Sequence, residues 1–202
     1  MRSFLPICCL LLLLSASLKS QTGKVEIAFQ NDVLEILGLG PEQTTDCRKK
    51  IRLWHYLMVN QQGVLINYCQ NRKKEWTVSR HDFQLEPEEG QWIRFQSTEL
   101  VLDEAWLAQL DFGAIKKGLS TVRNQRREIE KAEKRTDNVL VIGDGYLLTL
   151  QVDKQGYVTE STYENVNKYK AHFEEQGIEM KSHAIMLNLA SKLLPPGLAL
   201  DF

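Results

Sequence analysis

An excess of charge of either sign is the first thing missing from this 202-residue sequence, in which 25 Lys and Arg face 26 Asp and Glu. That balance excludes the basic footprint of a nucleic-acid-binding domain and gives no whole-chain attraction to an anionic membrane. Four cysteines are too few for a disulfide-dense miniprotein, and 12 Gly with 5 Pro exclude collagen and low-complexity chains. Only Phe4 to Leu14 forms a long apolar run, short of the roughly 20 residues a membrane-spanning helix needs. No Asn-x-Ser/Thr triplet occurs, so N-glycosylation is not expected, and a bacterial envelope is favoured over a eukaryotic secretory pathway. The spacings H-x-x-x-H, C-x-x-C and H-E-x-x-H are absent, as are an acidic calcium loop and G-x-S-x-G. No metal, cofactor or catalytic residue is therefore expected.

What is present begins with an address. Met1-Arg2-Ser3 carries a positive charge, an apolar stretch follows, and Ser15-Ala16-Ser17 supplies small residues, the order of a secretory signal peptide. Cleavage after Ser17 leaves residues 18–202 as a single exported α+β domain, secreted or periplasmic, with no membrane span. Cys8 and Cys9 leave with the leader. Cys47 and Cys69 remain, and an oxidising compartment predicts a disulfide between them.

The expected architecture is an antiparallel β-meander over about 24–97, a long charged helical segment over about 103–136, then a β-hairpin unit and two C-terminal helices over about 138–202. Lys24 to Gln30 and Val33 to Leu39 read as short strands. Ile51 to Val59 is apolar or aromatic on both faces, which predicts an interior strand covered on two sides. A bulged turn at Gln61-Gln62-Gly63 would return Val64 to Gln70 with His55 opposite Cys69. Glu75 to Arg80 and Gln91 to Gln96 complete the meander across an acidic turn at Glu86 to Gly90. Asp103 can cap a helix to Leu110, and Ala114 to Lys134 reads as one helix whose apolar stripe is interrupted by Arg126. Its second half would project into solvent or meet a partner. Asn138 to Ile142, Gly143-Asp144-Gly145 and Tyr146 to Val152 read as strand, turn, strand. Asp153 to Gly156 resembles the turn ending at Gly63, and Tyr157 to Ser161 returns. Helices over Tyr163 to Gln176 and His183 to Leu194 follow, the second capped by Ser182.

Several chemistries can be weighed against simpler readings. His55 beside Cys69 would be a nucleophile and base, but a disulfide removes the thiol, and a core histidine explains His55. His172 and His183 lie near Glu174, Glu175 and Glu179 without ligand spacing, so they read as solvated. Gly143-Asp144-Gly145 lacks the Lys-Ser/Thr of a phosphate loop, and Glu86, Glu88 and Glu89 read as a solvated turn.

The most unusual feature is a basic helix. From Lys116 to Arg135 eight cations, Lys116, Lys117, Arg123, Arg126, Arg127, Lys131, Lys134 and Arg135, face only Glu128, Glu130 and Glu133. Such a helix can grip an anionic partner, lipid headgroups or polysaccharide, or can be a solvated face with a Glu130–Lys134 pair. Trp54 and Tyr56, with Tyr68 and Trp76, could present an aromatic contact face or form cross-strand core pairs. The residues expected to bind are Lys116, Lys117, Arg123, Arg126, Arg127, Trp54 and Tyr56. The sequence thus reads first as a non-catalytic interaction or binding module whose partner is a protein or envelope component and not nucleic acid. The alternatives are an envelope hydrolase using His55 or a carboxylate, and a carrier of a small apolar ligand held between the sheet and the last helix.

Overall fold

The computed structural model describes residues 30–40, 44, 46–85, 92–142 and 145–200. The leader, most of the segment at 24–30, the acidic turn at 86–90 and Gly143-Asp144 lie outside them. The chain divides into two compact units, before and after the Thr45–Asp46 bond.

In the first unit, residues 30–36 form helix α1, where a strand was expected from Val33 to Leu39. Gln30, Val33 and Leu34 are buried while Asn31, Asp32, Glu35 and Ile36 are exposed, the i, i+3, i+4 spacing of a helix face. That spacing overrides the β-preference of Val33 and Ile36. Gly38, at φ 67°, ends the helix as its N–H reaches the Glu35 carbonyl and the Leu39 N–H reaches that of Leu34.

The second unit is an α+β fold. In order it comprises β1 (Lys49–Leu57), β2 (Gln62–Gln70), β3 (Trp76–Leu85), β4 (Trp92–Glu99), α2 (Glu104–Ala108), α3 (Phe112–Thr121), α4 (Gln125–Thr136), β5 (Tyr146–Lys154), β6 (Tyr157–Glu164), α5 (Val166–Glu174) and α6 (Lys181–Lys192). Meander and hairpin are not separate units. The strands form one antiparallel sheet in the order β4-β3-β2-β1-β5-β6, with β1 inside it as its two apolar faces require. Ile51, Leu53, Ile66, Tyr68, Val78, Leu148, Leu150 and Val152 face Phe112, Ile115 and Leu119 of α3 and Met186, Leu189 and Ala190 of α6 in one core. The opposite face buries polar groups in pairs. Arg52 donates to Asn67 and Gln151, and Lys50 lies 3.6 Å from Asp153.

The β1–β2 register differs from the expected one by five residues. His55 faces Val64, and Cys69 faces Lys50. The odd shift also exchanges the faces of β2 relative to β1. Gln61, not Gly63, takes the positive φ in a loop over Met58 to Gln61, and Gly63 lies within β2 opposite Phe83. The Phe83 ring covers Gly63 so closely that a Cβ there would stand 2.1 Å from Cζ. Gly63→Ala must displace a ring that also contacts Trp54 and Tyr56, and should cost about 2 kcal/mol in urea unfolding, whereas Gly156→Asn, which meets no atom and is strained only by its φ of 89°, should cost about 1 kcal/mol. The second hairpin is a different turn. Gln155 and Gly156 both have positive φ between the paired Lys154 and Tyr157, a two-residue type I′ loop.

Other elements also depart from expectation. Residues 138–142 are not a strand, and Val139 and Val141 are exposed. The helix expected from Ala114 to Lys134 is broken at Val122–Asn124 into α3 and α4. Nor does α4 project into solvent, since Ala132 packs with Phe173, Ile178 and Met180 in a small second core. Ser182 lies inside α6 and does not cap it. Cys47 and Cys69 are disulfide-bonded with Cα atoms 5.3 Å apart, and among the described residues no helix is long and apolar enough to cross a membrane.

Candidate functional site

The break between α3 and α4 builds the site. The Val122 N–H reaches the Leu119 carbonyl, ending α3, and the Asn124 side chain accepts from the Arg127 amide, starting α4. Between them, the Arg123 N–H donates to Ser182 Oγ at 3.2 Å and the Tyr163 hydroxyl donates to the Arg123 carbonyl at 2.6 Å. Burial pushes the Tyr163 phenol up to about 12, so it remains a donor at every physiological pH. The Gln125 side chain bonds both backbone groups of Glu164. The backbone groups freed by the break are thus bound by α6 and β6, which fixes the direction of α4.

Glu128 locks α4 to α6. Its carboxylate accepts from the Ser182 amide at 3.0 Å, the His183 amide at 3.3 Å and His183 Nδ1 at 2.6 Å. It therefore supplies the cap that α6 lacks from its own N-cap residue, Met180. Burial alone would raise the Glu128 carboxyl, but the hydrogen bonds from His183 and Ser182 outweigh it and hold the group below the ordinary carboxylate range. His183, read from the sequence as solvated, is fully buried, with its ring edge-on to Tyr163 at 4.8 Å. With Nδ1 donating to Glu128, Nε2 faces the Gln125 amide at 3.4 Å.

Over this lock lies a cleft of about 780 Å³ between α4 and the entry to α6. Arg127, Lys131 and Arg135 line one wall, while Arg123 and Lys181 line the cleft from the helix break and the start of α6. The α4 cations follow at i, i+4 and i+8, so they share one helix face, with about 12 Å of axial rise from first to last. Like charges at this spacing oppose helix formation by a few tenths of a kcal/mol per pair. Among the described residues, Arg123, Arg127, Lys131 and Arg135 have no ion-pair partner. Of the two acids in the lining, Glu128 is occupied by α6 and Glu179 lies 3.4 Å from Lys181.

Of the residues expected to bind, the fold brings Arg123 and Arg127 into this cleft. Arg126 points elsewhere on α4 and pairs with Glu130 at 2.8 Å, the acid expected to pair with Lys134. Lys116 and Lys117 lie on α3 outside the lining. Trp54 is 3% exposed and Tyr56 half-buried, both against Phe83, so they form a cross-strand cluster and not an open contact face. Lys131, Arg135 and Lys181 join the site without having been singled out. The first two follow Arg127 at four-residue steps, a signal readable once α4 is known to start at Asn124.

Two further features bear on chemistry. His55 lines a cavity of about 530 Å³ with Asp82, Phe83 and Phe95, but its expected thiol partner faces Lys50 and is held in the disulfide. His81 is hydrogen-bonded at 2.8 Å to both Ser79 and Ser97, a contact that sequence spacing did not reveal. Burial lowers its affinity for a proton, against the pull of Asp82, and neither ring nitrogen is bound to a carboxylate that would orient a catalytic imidazole. Among the described residues no group of three or more His, Cys, Asp or Glu could hold a metal ion. Comparisons with family models, with curated proteins and with solved structures find no match to this chain.

Proposed function

We propose that this chain is a non-catalytic interaction module, exported to the envelope or beyond the cell, that holds an anionic partner in the cleft between α4 and α6. The observation that carries this reading is the unpaired charge. A protein with near-zero net charge gathers five cations around one concavity, leaves four of them without ion pairs among the described residues, and pairs Arg126 of the same helix on its other side. Converging cations in a concave site raise the local potential and draw in anions. The disulfide supports an oxidising compartment.

Calorimetric titration with inorganic polyphosphate, a generic polyanion, tests the reading. R127E/K131E should weaken binding roughly tenfold or more at low salt. R126E/K134E, with the same charge change on the same helix but outside the cleft, should bind as the wild type does. Equal affinity for wild type and R127E/K131E removes the cleft from the account.

A further inference from the structure

Resting on that reading of the cleft, we infer that its ligand is a linear polysaccharide bearing tetrahedral oxyanions, sulfate or phosphate esters, laid along α4. The geometry of the charges is the first reason. Arg127, Lys131 and Arg135 repeat at one-turn steps of about 6 Å along a single helix face, so they offer a file of cations to a rod with a regular charge repeat. A compact ligand with one anionic group would engage one end of the file and leave the other unused.

Donor chemistry is the second reason. Three of the five cations are arginines, whose planar guanidinium presents paired N–H groups to two oxygens of one anion. A sulfate or phosphate ester offers three terminal oxygens. It can therefore accept from the α4 wall while still accepting from Arg123 or Lys181 across the cleft. A carboxylate has only two oxygens, both in one plane, and so presents fewer acceptor directions to donors on opposite walls.

The third reason separates a glycan from the other polyanions such a protein meets. An amphipathic acidic helix or an anionic bilayer would seat apolar groups as well as charges. The large hydrophobic residues exposed among the described residues are Ile36, Val59, Val101, Val139, Val141, Tyr157 and Val158, and none of them lines this cleft. Of the apolar lining residues, Ala132, Ile178 and Met180 are buried in the second core and Ile185 is half-buried, so the cleft holds no row of exposed apolar groups for a partner to cover. Every exposed residue of its lining is polar or charged.

The test is calorimetric titration of the full mature chain with a short heparin fragment and with a phosphomannan fragment. Chemically desulfated heparin, polyglutamate and phosphatidylglycerol vesicles serve as comparators. The expected result is binding of one or both oxyanion-bearing glycans, at least about tenfold tighter than the three comparators and weakening as salt rises. R127E/K131E should abolish this preference and R126E/K134E should preserve it, with unchanged thermal melts showing that both variants fold. Heparin preferred over phosphomannan identifies sulfate esters as the source, and the reverse identifies phosphate esters. If polyglutamate or the vesicles bind as tightly as both glycans, with the same sensitivity to R127E/K131E, the glycan assignment is overturned while the anionic cleft stands. If no polyanion distinguishes R127E/K131E from the wild type, both fall.

Discussion

Replacing Glu128 by Ala should cost about 3–4 kcal/mol of stability, the largest effect expected of any single substitution in α4. The carboxylate is mostly buried and accepts from two backbone amides at the start of α6 and from the fully buried His183 ring. Removing it leaves three donors without their acceptor, and deleting one member of a buried charge-assisted pair typically costs about 3–5 kcal/mol. Partial exposure of Glu128 places it toward the lower end. Glu128→Gln keeps one carbonyl oxygen as an acceptor and should lose about half as much. Urea unfolding of the three proteins measures the differences through their midpoints.

The pH dependence has a definite sign. Glu128 is held below the ordinary carboxylate range in the fold, so between its folded and unfolded values the unfolded chain binds more protons. Its stabilisation is therefore fully present above the unfolded value of about 4.3 and is lost as pH falls through the folded one. The gap between wild type and Glu128→Ala should shrink as pH falls below about 4. A gap that does not shrink below about pH 4 would show that the carboxylate does not act as a charged acceptor.

Loss of the disulfide is the second large effect. The Cys47–Cys69 bond closes a loop with a sequence separation of 22 residues, which on the chain-entropy model stabilises the fold by about 3 kcal/mol. It ties Cys47, two residues ahead of β1, to β2, beside the Arg48 N–H that reaches the Gln70 carbonyl. For a domain of this size C47S/C69S should melt about 10 °C lower than the wild type. Reductant should lower the wild-type melt toward that of the variant and leave the variant unchanged. A wild type insensitive to reductant would mean that the bond adds nothing to the folded protein.

The same two cysteines show how far the sequence could be read. Their pairing needed only an oxidising compartment and a count. Placing them against β1 needed a register, and that depended on which residue adopts positive φ. Sequence reasoning chose Gly63 because glycine tolerates that region, but the fold uses Gln61 there and keeps Gly63 where the Phe83 ring leaves no room for a Cβ. A glycine selected for close packing is indistinguishable in sequence from one selected for a turn. The meander, the hairpin at Gln155-Gly156 and the C-terminal helices followed from periodicity. Joining them into one sheet through β1 and β5 depended on contacts about a hundred residues apart, which no local pattern encodes.

The site was half legible for a similar reason. The excess of cations was plain, and two of the residues named from the sequence, Arg123 and Arg127, line the cleft. Read as one continuous helix, however, the segment placed Arg126 as a defect in an apolar stripe and gave no reason to prefer one cation over another. The break at Val122–Asn124 resets the helical phase, so that Arg127, Lys131 and Arg135 face α6 while Arg126 turns to Glu130. Its stability comes from Ser182, Tyr163 and Glu164, far along the chain. The Glu128–His183 lock was invisible for the same cause, since its partners are 55 residues apart.

The most direct test of the anionic cleft is nuclear magnetic resonance, following the arginine Nε–Hε and backbone amide signals while polyphosphate is added. The expected result is saturable shifts at Arg123, Arg127 and Arg135 and at the Lys181 and Ser182 amides, with Arg126 and Arg80 unmoved in their ion pairs. Shifts that centre on Lys116, Lys117 and Arg126, or that spread evenly over every surface cation, would contradict it.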